Sequence, residues 1–207
     1  MSISVAIIHY GYKDYLKTNL EISSKFNNIY LIGDKSLEKL GNIKNVNFIN
    51  IEKYNKLINN KYYDNFINYS SNYKNFEWLC FKRVFILKLF LEDNKIDKIF
   101  HMDSDNILLY NINDYKFKKD IAYCLSKNYH KNRMSCSIHC SLLNVNFCNK
   151  FTELYEDIYI NKLKSHLIKN KIKYHLKNKI FVNGGICDMT LYYLLNSEKI
   201  KGMVIYQ

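Results

Sequence analysis

Asp103-Ser104-Asp105 sets two carboxylates at i and i+2, directly after the apolar run Lys98-Ile99-Phe100-His101-Met102. On a regular strand such residues share a face, and at a strand end, where the backbone turns, both can converge on one cation. Two carboxylate oxygens, completed by water and by a diphosphate, are the usual way Mg2+ or Mn2+ is held when a substrate brings its own phosphates. A solvated acidic turn is the competing explanation. The apolar strand before the motif and Ile107-Leu108-Leu109 after it weigh against that. Arg83 is the second feature, because the chain has 31 basic residues and only Arg83 and Arg133 are arginine. A planar guanidinium suits a phosphate or a buried carboxylate such as Asp103, and Arg83 falls on the apolar stripe of a helical pattern.

The elements that must position these groups follow from hydrophobic spacing. Ile3 to His9 is a compact strand, Lys13 to Phe26 a helical pattern, Ile29 to Ile32 a second strand closed by Gly33-Asp34, and Val46 to Ile51 a third. Strands separated by helical segments predict βαβ units and a mostly parallel sheet flanked by helices. Tyr54 to Asn75 is polar and poorly periodic and is expected to form a long loop or a loosely helical excursion. Phe76, Leu79, Cys80, Arg83, Val84, Leu87, Phe90 and Leu91 recur at helical spacing, which predicts a helix ending before Asn94. Ile121 to Leu125 and Ser137 to Val145 are expected strands, and Phe147 to Tyr159 a helix. Lys162 to Lys179 has no clear assignment. A last helix runs from the Gly184-Gly185 region through Leu195, with Met203 to Tyr206 a closing strand. No internal repeat or linker breaks residues 1–207, so one domain is expected, which further domains could follow.

Composition limits the partners. At 207 residues, 48% hydrophobic and 15% aromatic, the chain can bury a real core and is not intrinsically disordered. The formal net charge is +12. Lysine, asparagine and tyrosine abound and proline is absent, as A/T-rich codons would dictate. The lysines are dispersed and arginine is scarce, so nucleic acid is not expected as the main partner. A basic surface still attracts an anionic substrate. No apolar run reaches the roughly 20 residues of a membrane-spanning helix. The six cysteines form no C-x-x-C pair; Cys136, His139 and Cys140 make only a weak zinc pattern, and reduced cysteines in a cytoplasmic protein are expected.

These pieces together resemble the GT-A fold glycosyltransferases, whose D-x-D motif binds a divalent metal and, through it, the diphosphate of a nucleotide sugar. Val5-Ala6-Ile7-Ile8-His9-Tyr10-Gly11 resembles the first strand and its nucleotide-contacting turn, and Leu31-Ile32-Gly33-Asp34 the second strand end. Trp78-Leu79-Cys80-Phe81-Lys82-Arg83 is similar to the helix whose basic residue lies near the phosphates, and Phe100 to Asp105 resembles the motif strand. The group it is most similar to comprises poorly characterised bacterial and large-virus transferases, a viral one acting in the host cytoplasm. The resemblance implies a UDP-sugar donor, a glycan or other hydroxyl acceptor, and Mn2+ or Mg2+ at Asp103 and Asp105. It also implies donor contacts at His9, Tyr10, Gly11, Asp34, Arg83, Asp103, Ser104 and Asp105. Within it, Tyr10 could stack on the base and Gly11 admit it closely. Asp34 either hydrogen-bonds uracil or ribose or simply closes a turn. Asp188 is the candidate catalytic base, with Gly184 and Gly185 opening space for the acceptor; alternatively Asp188 caps its helix. His139, His166 and His175 are open as a third metal ligand, and His101 is expected to face away from the motif and pack.

Three other readings compete. A dehalogenase-type phosphatase carries its D-x-D on the first strand, which this chain does not. A nucleotidyltransferase on a similar fold would need a Gly-rich basic loop after its first strand, where His9-Tyr10-Gly11-Tyr12-Lys13 stands. A non-catalytic carbohydrate or nucleic-acid binding module would lack a metal-dependent response to nucleotide sugars.

Overall fold

The computed structural model describes residues 2–125 and 132–197 and the strand Met203–Tyr206. Its centre is a seven-stranded sheet in the order β3-β2-β1-β4-β6-β5-β7. The strands are β1 (Val5–His9), β2 (Ile29–Gly33), β3 (Val46–Asn50), β4 (Lys98–Met102), β5 (Ile121–Leu125), β6 (Cys136–Asn144) and β7. β1 pairs in parallel with β2 and β4, and β2 with β3, whereas β6 runs antiparallel to both β4 and β5. The expected mostly parallel sheet is therefore present. Parallel neighbours need crossovers, and these are supplied by α1 (Asp14–Ser23), a 3-10 turn at Lys35–Asn42, α2 (Glu52–Tyr62) and α3 (Lys74–Asp93). The later helices are α4 (Val145–Tyr155), continued by a π-helical turn at Glu156–Ile160, then α5 (His166–Lys177) and α6 (Asp188–Ser197).

Alternation along the strands divides the core in two. Val5 and Ile7 of β1 and Phe100 and Met102 of β4 join Leu16 and Leu20 of α1 on one face. Ala6 and Ile99 face the other, larger cluster, where Tyr62 stacks on Phe85 at 4.4 Å and Phe81 meets Tyr155 edge-on at 5.9 Å. That cluster is the cement between α2, α3 and α4.

Three stretches left open in the sequence take definite form. Tyr54 to Asn75 is not mainly loop: α2 occupies Glu52–Tyr62, burying Tyr54, Ile58 and Tyr62 at four-residue spacing, a stripe diluted by the many asparagines and lysines between. Lys162 to Lys179 is largely α5, whose inward face carries Ile168, Lys171 and His175. The polar members of that face hid its periodicity. The third is α3, where Phe76 and Leu79 are exposed while Glu77, Trp78, Phe81 and Lys82 are buried. This helix is apolar nearly all round, so spacing alone could not choose its inward face. The stripe through Phe76, Leu79, Cys80 and Arg83 is the face that matters for the site.

Lys171 ties α5 to the core by donating to the Met134 carbonyl at 3.1 Å and to Thr190 Oγ1 at 2.7 Å. Burial pushes its ammonium down from 10.5 to about 8. Below pH 8 both folded and unfolded chains carry the proton and the full cost of burying charge is felt. Between about 8 and 10.5 the folded state gives up its proton first, so stability attributable to this residue rises with pH. The stability of the native protein relative to Lys171→Met should therefore increase across that window, by up to about 3 kcal/mol. Urea melts of both proteins at pH 7.5 and 10 check it, and parallel pH curves would refute it.

Candidate active site

A cleft of about 410 Å3 opens over the C-terminal ends of β1 and β4. Open α/β sheets bind ligands at such strand ends. Ile8, His9 and Tyr10 floor one side, Asp103, Ser104 and Asp105 another, and Phe76, Leu79, Cys80 and Arg83 of α3 form a wall. Of the residues singled out in the sequence, His9, Tyr10, Arg83, Asp103, Ser104 and Asp105 meet here.

Arg83 organises the wall. Its Nη1 donates to Asp103 Oδ1 at 2.6 Å, its Nη2 to Asp188 Oδ2 at 2.7 Å, and its Nε to the Cys80 carbonyl at 3.2 Å. One guanidinium thus joins α3 to the end of β4 and to the first turn of α6. His101 belongs to the same cluster. It is buried, as expected, but strand alternation puts it on the same side as Asp103, with Nε2 at 3.6 Å from Asp103 Oδ1 and Nδ1 at 3.3 Å from the Ala6 carbonyl. The expectation that it faces away from the motif fails on this i, i+2 relation. Burial pushes the His101 imidazole down, toward the neutral form. For Asp103, burial alone would raise the carboxyl pKa, but the His101 contact and the Arg83 charge outweigh it and hold it below the usual carboxylate range.

Asp188 is 3% exposed and does not line the cleft. Its Oδ2 accepts from Arg83 and, at 3.0 Å, from the Tyr192 hydroxyl, and its Oδ1 accepts from the Met189 amide at 2.8 Å. Asp188 is thus the first residue of α6 and is tied there by a neighbouring amide, a tyrosine hydroxyl and an ion pair to α3. Glu77, which the sequence did not single out, lies close by. It is 1% exposed, takes a 3.0 Å bond from Asn72 Nδ2, and burial raises its carboxyl pKa.

Gly184 and Gly185 face α5. Both adopt positive φ (100° and 71°), and a Cβ would meet Ile172 at 3.0 Å in the first and His175 Nδ1 at 2.3 Å in the second. Packing and backbone geometry thus account for the glycine pair, which is not among the cleft residues. Gly11 is different: at φ 75° it has open space on its side-chain side. Its amide donates to Asp34 Oδ2, while Asp34 Oδ1 accepts from Ser36 N at 2.9 Å and caps the following 3-10 turn. Burial would raise the Asp34 carboxyl, yet these bonds bring it below its ordinary value. Gly11 and Asp34 thus brace the β1 and β2 ends beside the cleft.

Tyr10 is held by its hydroxyl, which donates to Asn55 Oδ1 at 3.0 Å, and by Lys82, whose Nζ sits 5.8 Å from the ring centroid. Lys82 is itself buried, which lowers its pKa. Asn55 had no signal in sequence, being one asparagine among many, and Lys82 appeared there only as part of the Trp78–Arg83 stretch.

The stretch after the motif has no strand or α-helix before β5, yet α1 and the turn that follows it clamp it. Asn19 and Ser23, one helical turn apart on α1, and Asn27 in the turn beyond its end are all buried. Asn19 Nδ2 donates to the Ser104 carbonyl (2.8 Å), Ser23 Oγ accepts from Leu108 N (2.9 Å), and Asn27 accepts from Ile112 N (2.9 Å) and donates to the Tyr110 carbonyl (3.0 Å).

Divalent metal fits the motif by the chemistry of its free donors. Asp103 Oδ2 and the exposed Asp105 carboxylate make no hydrogen bond or ion pair among the described residues, leaving hard oxygen donors at one strand end. His139 stands near, its backbone carbonyl accepting from Asp103 N at 2.8 Å and its Nδ1 at 2.7 Å from Ser137 Oγ. Asp103, Asp105 and His139 do not, however, make a closed three-ligand cage. Among the described residues the trio drawn within 4.8 Å is Glu77, Cys187 and Asp188. A cation there would sit beside the Arg83 guanidinium already bound to Asp188, so the motif is the better site. Cys136, His139 and Cys140 do not gather as a zinc site, and all six cysteines are free.

No protein-family profile matches the chain, and no curated protein matches its sequence. Solved structures do match. Mouse xyloside xylosyltransferase 1, in its apo form, superposes with a TM-score of 0.65 at 12% identity, over 100% of this chain and 86% of that one. The apo-form glycosyltransferase GlyE of Streptococcus pneumoniae TIGR4 gives a TM-score of 0.50 at 15% identity, over 99% of this chain and 45% of that one. The strand order and these neighbours agree: the chain has the GT-A fold of glycosyltransferases.

Proposed function

We propose that this protein is a metal-dependent glycosyltransferase that takes its sugar from a nucleoside diphosphate donor, with UDP-sugars the first to test, and passes it to a glycan or other hydroxyl acceptor. The observation that carries this is the convergence of Tyr10, Arg83 and the unspent oxygens of Asp103 and Asp105 on one cleft. Tyr10 offers a ring face for a base. Asp103 and Asp105 would hold Mn2+ or Mg2+, and that ion, when bound, offsets the charge developing on the departing diphosphate. Arg83 keeps Asp103 ionised and fixed, and it brings positive charge to the wall the diphosphate would face. Phe76 and Leu79 supply apolar surface above the motif. Asp188 acts through Arg83 as a positioning residue: a carboxylate already shared among three donors has little capacity left to take a proton from an acceptor hydroxyl.

A thermal-shift panel of nucleoside diphosphates with and without Mn2+ tests the reading. Ligand binding to the folded state alone raises the melting temperature by mass action. UDP is expected to stabilise the protein only with Mn2+, and chelation should abolish the shift. Asp105→Asn should lose at least about 100-fold in metal-dependent affinity, as loss of a charge-bearing ligand implies. Its fold should be unaffected, since Asp105 is exposed and makes no bond among the described residues. Equal UDP affinity in the chelated protein would end the metal-dependent reading.

A further inference from the structure

The most uneven charge in the molecule lies away from the cleft floor. Between Asp157 and Asp188 there are seven lysines and no acidic residue, so this one segment carries more than half of the net charge of +12. Its helix, α5, turns Ile168, Lys171 and His175 inward. Lys169, Lys173 and Lys177 lie on the opposite, exposed face at four-residue spacing.

The end of α5 is as apolar as its face is basic. Lys179 takes a left-handed conformation (φ 52°), and the Ile180 amide returns to the His175 carbonyl at 3.0 Å, closing the helix with a sharp reversal. That reversal leaves Ile180, Phe181 and Val182 partly or largely exposed, Phe181 leaning edge-on against His175 with ring centroids 5.1 Å apart. Their exposures are 47%, 40% and 81%, with Leu176 at 49%. The tip is not loosely attached. Asn183 Nδ2 donates to the Ser70 carbonyl at 2.9 Å, and the Gly185 amide to the Tyr69 carbonyl at 2.7 Å, in the loop leading to Phe76 at the cleft. The patch is thus a rigid, basic, apolar-tipped surface next to the cleft wall.

We infer that the outer face of α5 and the Ile180–Val182 tip form a docking surface for an anionic phospholipid membrane, which the helix meets lying in the interface plane. The lysines match anionic headgroups, and the apolar tip matches the acyl boundary just beneath them. The tip decides between macromolecular partners. A soluble polyanion would engage the lysines and gain nothing from an aliphatic residue held 81% exposed. This inference is independent of the transferase reading, since no residue of the cleft takes part.

Sedimentation of the full chain with vesicles tests it, comparing phosphatidylcholine alone with a phosphatidylcholine–phosphatidylserine mixture. Binding is expected only to the mixture and is expected to weaken in high salt. The triple variant Lys169→Gln, Lys173→Gln, Lys177→Gln should bind about 100-fold more weakly, the loss expected for three lysines at an anionic surface. Val182→Asp should also lose most binding while leaving the charge pattern of the helix intact. All four altered side chains are exposed, so unchanged melting temperatures are expected and serve as the folding control. Two results would overturn the inference: no preference for the anionic vesicles, or equal loss of heparin and vesicle binding in the lysine variant with Val182→Asp affecting neither. The second outcome would identify the face as a polyanion site.

Discussion

Arg83→Met is expected to destabilise the protein by about 3 kcal/mol or more, because it leaves the buried Asp188 carboxylate without its cation. The side chains concerned are 18% exposed for Arg83 and 5% for Asp188, so solvent cannot replace the lost partner; Asp103, at 34%, is screened and contributes less. Urea denaturation measures the loss. The companion variant separates a broken ion pair from poor packing. Adding Asp188→Asn to Arg83→Met removes the stranded charge and keeps an amide oxygen that can accept from Met189 N or the Tyr192 hydroxyl, so stability should partly return. If the double variant is weaker than the single one, the pair is not what makes Arg83 matter. Donor binding should fall in both proteins, since Asp103 loses its anchor in each.

Gly185→Ala should cost about as much, for unrelated reasons. Left-handed backbone costs a non-glycine residue about 1–2 kcal/mol. Here the new Cβ would also lie 2.3 Å from His175 Nδ1 and 2.6 Å from Phe181 Cδ2. Relief requires moving a ring that bonds the Gly184 carbonyl at 2.9 Å, or shifting α5 as a body. Gly11→Ala supplies the comparison, since its φ of 75° is similar but its surroundings are open. It should show the backbone cost alone. Equal thermal shifts in the two variants would mean that α5 does not press on Gly185 as described.

Much of this molecule was legible before its structure. The strands of the first half are short apolar runs closed by polar or glycine residues, and β1 to β4 fall where that pattern puts them. Asp103-Ser104-Asp105 stood out because it follows an apolar strand, and strand ends of such a sheet are where the cleft lies. What could not be read was orientation. α3 is apolar on nearly every side, so the spacing of Phe76, Leu79 and the rest gave a helix but not the side facing the cleft. α2 and α5 were obscured by asparagine and lysine, the background residues of this composition, even at buried positions such as Asn55 and Lys171. The link from Arg83 to Asp188 spans 105 residues and obeys no local rule. Asp188 was found from its glycine neighbours, but those glycines answer to α5, and its own partner could only emerge from the fold.

The buried polar side chains of α1 and its following turn give the motif a thermodynamic advantage. A segment without regular structure would ordinarily have to be immobilised at the moment a ligand arrives, and each residue so ordered would subtract about 1–2 kcal/mol from affinity. Asn19, Ser23 and Asn27 fix the chain from Ser104 to Ile112 during folding instead, so that entropy is already lost before any encounter. The exposed Asp105 side chain keeps rotational freedom, at the point where an incoming group would select one rotamer. An irregular stretch thereby behaves as a preassembled half of a binding site, and its rigidity is inherited from a helix on the other side of the sheet from Arg83.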